Sequence, residues 1–163
     1  MAKIKADQPL VPSVLDRLLD DEPGVSREAS KSRNQVLREL KQSVRRDLED
    51  LLNTRRRCVS WPENLTELER SLVSYGIPDV TGASLGSDRS RVEFCRTIEE
   101  VIRACEPRFK SVKVRPLENV DPVDRTLRFR VDALLIADPA PEPVVFDSSL
   151  EPGTGNFDVK GVS

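Results

Sequence analysis

Apolar residues recur at helical spacing through the first two thirds of the chain and at alternate positions after it. Pro12 opens a short helix with Val14, Leu15, Leu18 and Leu19 inward and Asp16 and Arg17 outward. Asp20-Asp21-Glu22-Pro23-Gly24 ends it, and a Ser-rich polar linker runs to about Arg33. A long second helix, about 34–54, carries the stripe Val36, Leu37, Leu40, Val44, Leu48, Leu51 and Leu52, with Arg45, Arg46, Glu49 and Asp50 on its polar side. Ser32 and Gln35 have the spacing of a capping box at its start. Thr66 and Glu69 repeat that spacing before a short third helix with Leu68 and Leu72 inward, and Gly76 stands at its C-terminal stop. Ile77-Pro78-Asp79 then forces an extended exit. The fourth helix, about 88–106, presents Val92, Cys95, Ile98, Ile102 and Cys105, widened by Phe94 and Val101. Arg96–Glu100 and Glu99–Arg103 are spaced as ion pairs on its outside.

Past Arg108 the period becomes two. Val112 and Val114 alternate with Lys113 and Arg115 up to Pro116. Leu127, Phe129, Val131, Ala133 and Leu135 alternate with Arg128, Arg130 and Asp132, the clearest strand pattern in the chain. A third short strand, Val144-Val145-Phe146-Asp147, follows a Pro-rich turn. The segment from Ser148 is polar and Gly-rich, with Phe157 as its lone apolar anchor. The expected fold is α+β, N-terminal helices packed on a small antiparallel β-sheet with flexible termini. Residues 1–11 read as a flexible tail, 12–147 as one domain and 148–163 as a second flexible tail. Three strands cannot close, so one long edge is left for another chain to extend, and residues 126–136, with the cleanest alternation, are the strand expected to pair with it.

Composition narrows the chemistry. The 163 residues hold 26 Lys plus Arg against 28 Asp plus Glu, a net charge of −2 that offers no polycation for nucleic acid. At 4% aromatic residues the chain has too few for a base-stacking surface. There is no histidine, which excludes a Ser-His-Asp or Cys-His centre and the usual zinc hydrolase ligands. No catalytic residue, cofactor or metal is expected. The N-terminal stretch lacks the apolar core of a signal peptide, and no run approaches a membrane span, so a cytoplasmic location is expected. Cys95 and Cys105 lie about 15 Å apart at helical rise, beyond the roughly 7 Å a disulfide allows, and read as buried reduced thiols.

Two basic features invite a partner. Arg55-Arg56-Arg57 sits at the end of the long helix, where it either offsets the helix dipole or meets an acidic surface. Glu106-Pro107-Arg108 closes the fourth helix. A glutamate there sits at the unfavourable end of the dipole, Pro107 stops the helix, and Arg108 brings a planar fork suited to a carboxylate or to bare helix-end carbonyls. The corner is either a helix stop with a basic cap or a pre-shaped docking feature.

Five stretches in order resemble the TssE family of type VI secretion baseplate subunits and its relatives among phage baseplate wedge proteins, the gene-25-like "lysozyme" family. They are Leu15-Asp16-Arg17-Leu18, Asp47-Leu48-Glu49-Asp50-Leu51-Leu52-Asn53-Thr54-Arg55, Tyr75-Gly76-Ile77-Pro78-Asp79, Glu106-Pro107-Arg108 and Arg128-Phe129-Arg130-Val131. The resemblance covers about residues 12–147. It implies a structural wedge component that contacts TssF, TssG and TssK and links them to a contractile sheath of TssB and TssC. It further implies nucleation of the sheath by strand pairing, on a baseplate docked at the inner face of the inner membrane. Glu106, Pro107 and Arg108, the family's signature corner, and Arg128 and Arg130 on the long strand are the partner-binding residues it suggests, with no nucleic acid and no membrane insertion. Cys105 departs from the pattern, which places an aromatic before the corner.

The "lysozyme" label raises hydrolysis, which needs two carboxylates about 5–9.5 Å apart with one in an apolar pocket. Glu106 has a cation two residues away and no motif sets a second carboxylate beside it, so an enzyme is not expected. A regulatory alternative is a cytosolic anti-adaptor, since the same fold family includes one that blocks delivery of a stress sigma factor to its protease.

Overall fold

The computed structural model describes residues 15, 18, 32–58, 60–62, 64–79, 86–119, 124, 126–137 and 140–162. Helix α1, Arg33–Asn53, begins where the Ser32 hydroxyl accepts from the Gln35 amide, and it buries Leu40, Val44, Leu48, Leu51 and Leu52. Helix α2, Asp88–Cys105, is capped by Ser87, whose hydroxyl accepts from the Ser90 amide, and it buries Phe94, Cys95, Ile98, Val101 and Ile102. Both stripes follow the sequence pattern, because 3.6-residue spacing puts those side chains on one face. Val92, at the start of the α2 stripe, is 38% exposed, and Cys105 at its end is only half-buried. Among the described residues no helix is long and apolar enough to cross a membrane.

Four strands follow, β1 (Phe109–Leu117), β2 (Leu127–Leu135), β3 (Glu142–Glu151) and β4 (Asn156–Val162), in an antiparallel meander of order β1-β2-β3-β4. Val112, Val114, Leu127, Phe129, Val131, Ala133, Leu135, Val144, Phe146, Leu150, Phe157 and Val159 are buried on the face that the helices cover. α2 lies against β1 and α1 against β4. The result is the α+β fold read from the sequence.

Three local expectations change. Residues 148–162, read as a polar tail, complete β3 and form β4, so the sheet has four strands. Phe157 is not a lone anchor, since its ring stacks 6.4 Å from Phe94 and meets Phe129 edge-on at 6.1 Å. The short third helix is a pair of 3₁₀ turns, Thr66–Arg70 and Leu72–Ser74. Thr66 caps nothing there, because Leu65 occupies the cap position without a side-chain bond, and Leu72 stands 89% exposed. Turns this short have no stripe to bury. Of the N-terminal helix only Leu15 and Leu18 are described; both are helical, and both are exposed, at 53% and 75%, where an inward face was expected. The rest of that helix, the 1–11 tail and most of the linker lie outside the described residues.

Candidate functional site: a charged corner, a charged sheet face and two sheet edges

At Glu106 the α2 helix ends, its amide still bonded to the Ile102 carbonyl at 2.8 Å, and Pro107 turns the chain into β1. Glu106 is 7% exposed. Its carboxylate accepts from the Arg108 amide at 3.1 Å and from the guanidinium through Nε at 2.7 Å and Nη2 at 2.5 Å. That fork also donates to Asp47 Oδ2 at 2.7 Å and to the Ser43 hydroxyl at 3.4 Å, both on α1. Asp47 in turn pairs with Arg46 at 3.2 Å. The hydrogen bond to Glu106, opposed by burial and aided by Asp47, holds the Arg108 guanidinium charged well beyond its usual range. The fork therefore reaches carboxylates rather than helix-end carbonyls. It ties the end of α2 and the start of β1 to the middle of α1, with the Arg108 side chain still 23% exposed.

Arg128 and Arg130 stand elsewhere, on the uncovered face of the sheet. Arg128 pairs with Asp124 at 3.1 Å, and Arg130 with Asp147 on β3 at 2.7 Å. The register sets Arg115 directly opposite Arg130, a like-charge pair that is unfavourable by itself. Arg115 turns to Asp132 at 2.6 Å instead, and the Arg130 fork holds the Asp147 carboxyl below the usual carboxylate range. The five partner-binding residues read from the sequence thus fall into two groups, a corner packed on α1 and a charge-balanced face behind the sheet.

Strand β2 is flanked on both sides, by β1 and by β3. Residues 126–136 therefore cannot take up a strand from another chain, contrary to what their clean alternation suggested, since both rows of backbone groups are already paired. The edges are β1 and β4. On β4, Asn53 grips Phe157 twice, its amide donating to the carbonyl and its oxygen accepting from the N–H, both at 2.9 Å. Arg45 donates to the Val159 carbonyl at 3.0 Å. These bonds identify Phe157 and Val159 as the residues whose backbone faces away from β3, and α1 covers them. On β1 the Val114 N–H donates outward to Glu99 at 3.0 Å, so by alternation Val112, Val114 and Pro116 face away from β2. Pro116 brings no donor to that edge. Burial alone would raise the Glu99 carboxyl, but the Val114 amide, Arg103 and Lys113 together hold it below its ordinary value.

The structure divides the arginine triplet that the sequence left undivided. Arg55 turns inward: it donates to the Leu52 carbonyl at 3.1 Å and to the Gly155 carbonyl, and lies 5.8 Å over the Phe157 ring. Its backbone forms a parallel bridge with Ile77, in which the Ile77 amide donates to the Thr54 carbonyl at 2.9 Å and the Arg56 amide to the Ile77 carbonyl at 2.8 Å. Gly76 makes this approach possible. Its φ is +104°, and a Cβ there would sit 2.6 Å from the Thr54 carbonyl oxygen. Arg56 and Arg57 are exposed and line a surface cleft instead. Neither the covered β4 edge nor the role of Arg55 was found from the sequence. The alternation of Phe157 and Val159 behind the Pro152-Gly153-Thr154-Gly155 turn was the available signal.

Among the described residues no cluster of three or more His, Cys, Asp or Glu side chains could hold a metal ion. No curated protein and no solved structure matches the chain. The family model of baseplate wedge protein gp25 matches residues 38–140, from the second turn of α1 to just before β3. That span takes in the corner, the bridge at Gly76 and the paired strands β1 and β2, and it exceeds half the chain, so the protein belongs to the gp25 baseplate wedge family.

Proposed function

We propose that this protein is the TssE-type wedge subunit of a type VI secretion baseplate, working in the cytoplasm without enzymatic activity and joining TssF, TssG and TssK to the first ring of a TssB–TssC sheath. Family membership supports a structural role in a baseplate. The observation that carries the finer reading is the unequal condition of the two sheet edges. α1 side chains occupy three outward backbone groups of β4, while on β1 Glu99 occupies one. β1 is therefore the edge on which a sheath strand is added, chiefly through its outward carbonyls. The Glu106–Pro107–Arg108 corner and the Arg128/Arg130 face supply wedge contacts on opposite sides of the sheet, so one subunit engages two neighbours.

The test is site-directed crosslinking in cells that assemble sheath. Lys113→Cys on β1 and Lys160→Cys on β4, each with Cys58→Ser, place one exposed thiol near either edge. The expected result is an adduct between Lys113→Cys and a sheath subunit, with Lys160→Cys unreactive. The reverse pattern overturns the edge assignment, and adducts with neither sheath nor wedge subunits overturn the baseplate reading.

A further inference from the structure

We infer that the cleft beside the Arg55–Ile77 bridge is a docking site for a short acidic segment of a partner protein. The cleft has a volume of about 720 Å³ and is lined by Arg56, Arg57, Cys58, Ser60, Trp61, Ser74 and Pro78. Its two walls are the chain after α1 and the chain after the second 3₁₀ turn. The bridge joins them at the base, so the opening is held by backbone hydrogen bonds at 2.8 and 2.9 Å. Arg56 and Arg57 are exposed, and neither guanidinium has an acidic partner among the described residues. This contrasts with Arg45, Arg46, Arg103, Arg108, Arg115, Arg128 and Arg130, each of which is paired with a carboxylate.

The lining selects the occupant. Two adjacent forks accept carboxylates in bidentate fashion. The half-buried Trp61 indole and the Pro78 ring offer an apolar wall, and the Ser60 hydroxyl adds a neutral hydrogen-bonding group, the Ser74 hydroxyl being already engaged as a donor to the Leu68 carbonyl at 2.6 Å. Arg and Trp together are the residue types that dominate binding energy at protein interfaces. The matching ligand is a stretch in which Asp or Glu flanks a proline or an aliphatic side chain. A long polyanion fits less well, because the chain as a whole carries net charge −2 and would repel it outside the cleft. The triplet therefore does two jobs: Arg55 holds the fold, and Arg56 with Arg57 faces the partner. This inference is independent of which sheet edge meets the sheath.

Trp61 is the sole tryptophan, so its emission reports on the cleft alone. The purified chain is titrated with a short synthetic peptide in which Asp and Glu flank Pro and Leu, and separately with a Lys/Arg peptide of the same spacing and with a single-stranded oligonucleotide. The acidic peptide is expected to change Trp61 emission saturably. Its binding should weaken with added salt and fall by about tenfold or more in Arg56→Gln/Arg57→Gln, the loss of charge-assisted hydrogen bonds. The same charge change at Arg96 and Arg103 should leave it unaltered. Bound peptide should also slow alkylation of the exposed Cys58. No saturable change, an equal response to the oligonucleotide or the basic peptide, or undiminished binding in the Arg56/Arg57 variant with circular dichroism unchanged overturns the proposal.

Discussion

Removing the Arg108 side chain tests the corner most directly. Arg108→Ala strips Glu106, 7% exposed at the negative end of α2, of two guanidinium bonds, and Asp47 of one. Breaking a buried ion pair from one side costs about 3–5 kcal/mol. The Arg108 side chain is 23% exposed, so solvent screens part of this and about 2–4 kcal/mol is expected. Part of that loss is the penalty of a stranded carboxylate. In a Glu106→Gln background the same Arg108→Ala change should therefore cost less, with a coupling of about 1–3 kcal/mol between the two sites. Arg108→Lys keeps the charge but not the planar fork, and should fall between. The assay is urea unfolding of the four proteins of the cycle plus Arg108→Lys, followed by circular dichroism. Additive losses, or a single Arg108→Ala cost below about 0.5 kcal/mol, would refute the account of the corner as a buried, mutually dependent network. Sheath imaging of the same variants, at a temperature where each stays folded, then separates docking from stability. A folded Arg108→Ala protein that still builds sheath at normal frequency removes the corner from the wedge interface.

Three further outcomes follow from particular bonds. Gly76→Ala combines a positive φ with a Cβ placed 2.6 Å from the Thr54 carbonyl oxygen. It should cost about 3 kcal/mol or more by denaturant titration, since strain of 1–3 kcal/mol adds to the opened bridge. Asn53→Ala frees both backbone groups of Phe157 and should cost about 1–3 kcal/mol, with faster amide exchange at Phe157 in hydrogen-exchange mass spectrometry. Glu99→Gln should show a pH-dependent penalty. Because the folded-state pKa of Glu99 is lowered, its stabilising effect is complete above the unfolded value of about 4.3 and is lost as pH falls through the folded value. The stability gap between wild type and variant should therefore be constant near neutrality and close on acidification, and a gap that widens below pH 4 would contradict the assignment.

Periodicity made the two long helices legible, because Val44, Leu48, Leu52 and Ile98, Ile102 repeat at helical spacing and little competes with them locally. The corner was legible only as a planar fork aimed at a carboxylate or at helix-end carbonyls, since Pro107 leaves Arg108 few places to go. Which carboxylates it reaches was not, because Asp47 lies 61 positions earlier in the chain. The end of the sheet was hidden by composition. Ser148 is buried among apolar neighbours with its hydroxyl unpartnered, which interrupts the alternation of Val144, Phe146 and Leu150, and the glycines that follow imitate a loose tail. The arginine triplet was opaque for a different reason. Three identical side chains in a row differ only in what faces them, and for Arg55 that is Gly155 and Phe157, about a hundred positions away.

The clasp between Asn53, Arg45 and β4 also orders the birth of the protein. α1 leaves the ribosome before any strand of the sheet, yet the strand it must lie against is the fourth of the four to be made. Until β4 is synthesised, α1 lacks the strand that Asn53 and Arg45 clasp, and part of the stripe of Val44, Leu48 and Leu52 has no surface to cover it. A nascent chain therefore waits, with an apolar helix on display, for β4 to arrive and seal it. Products that terminate before Asn156 should go to chaperones and proteases rather than linger as half-made subunits that could occupy a place in a growing assembly.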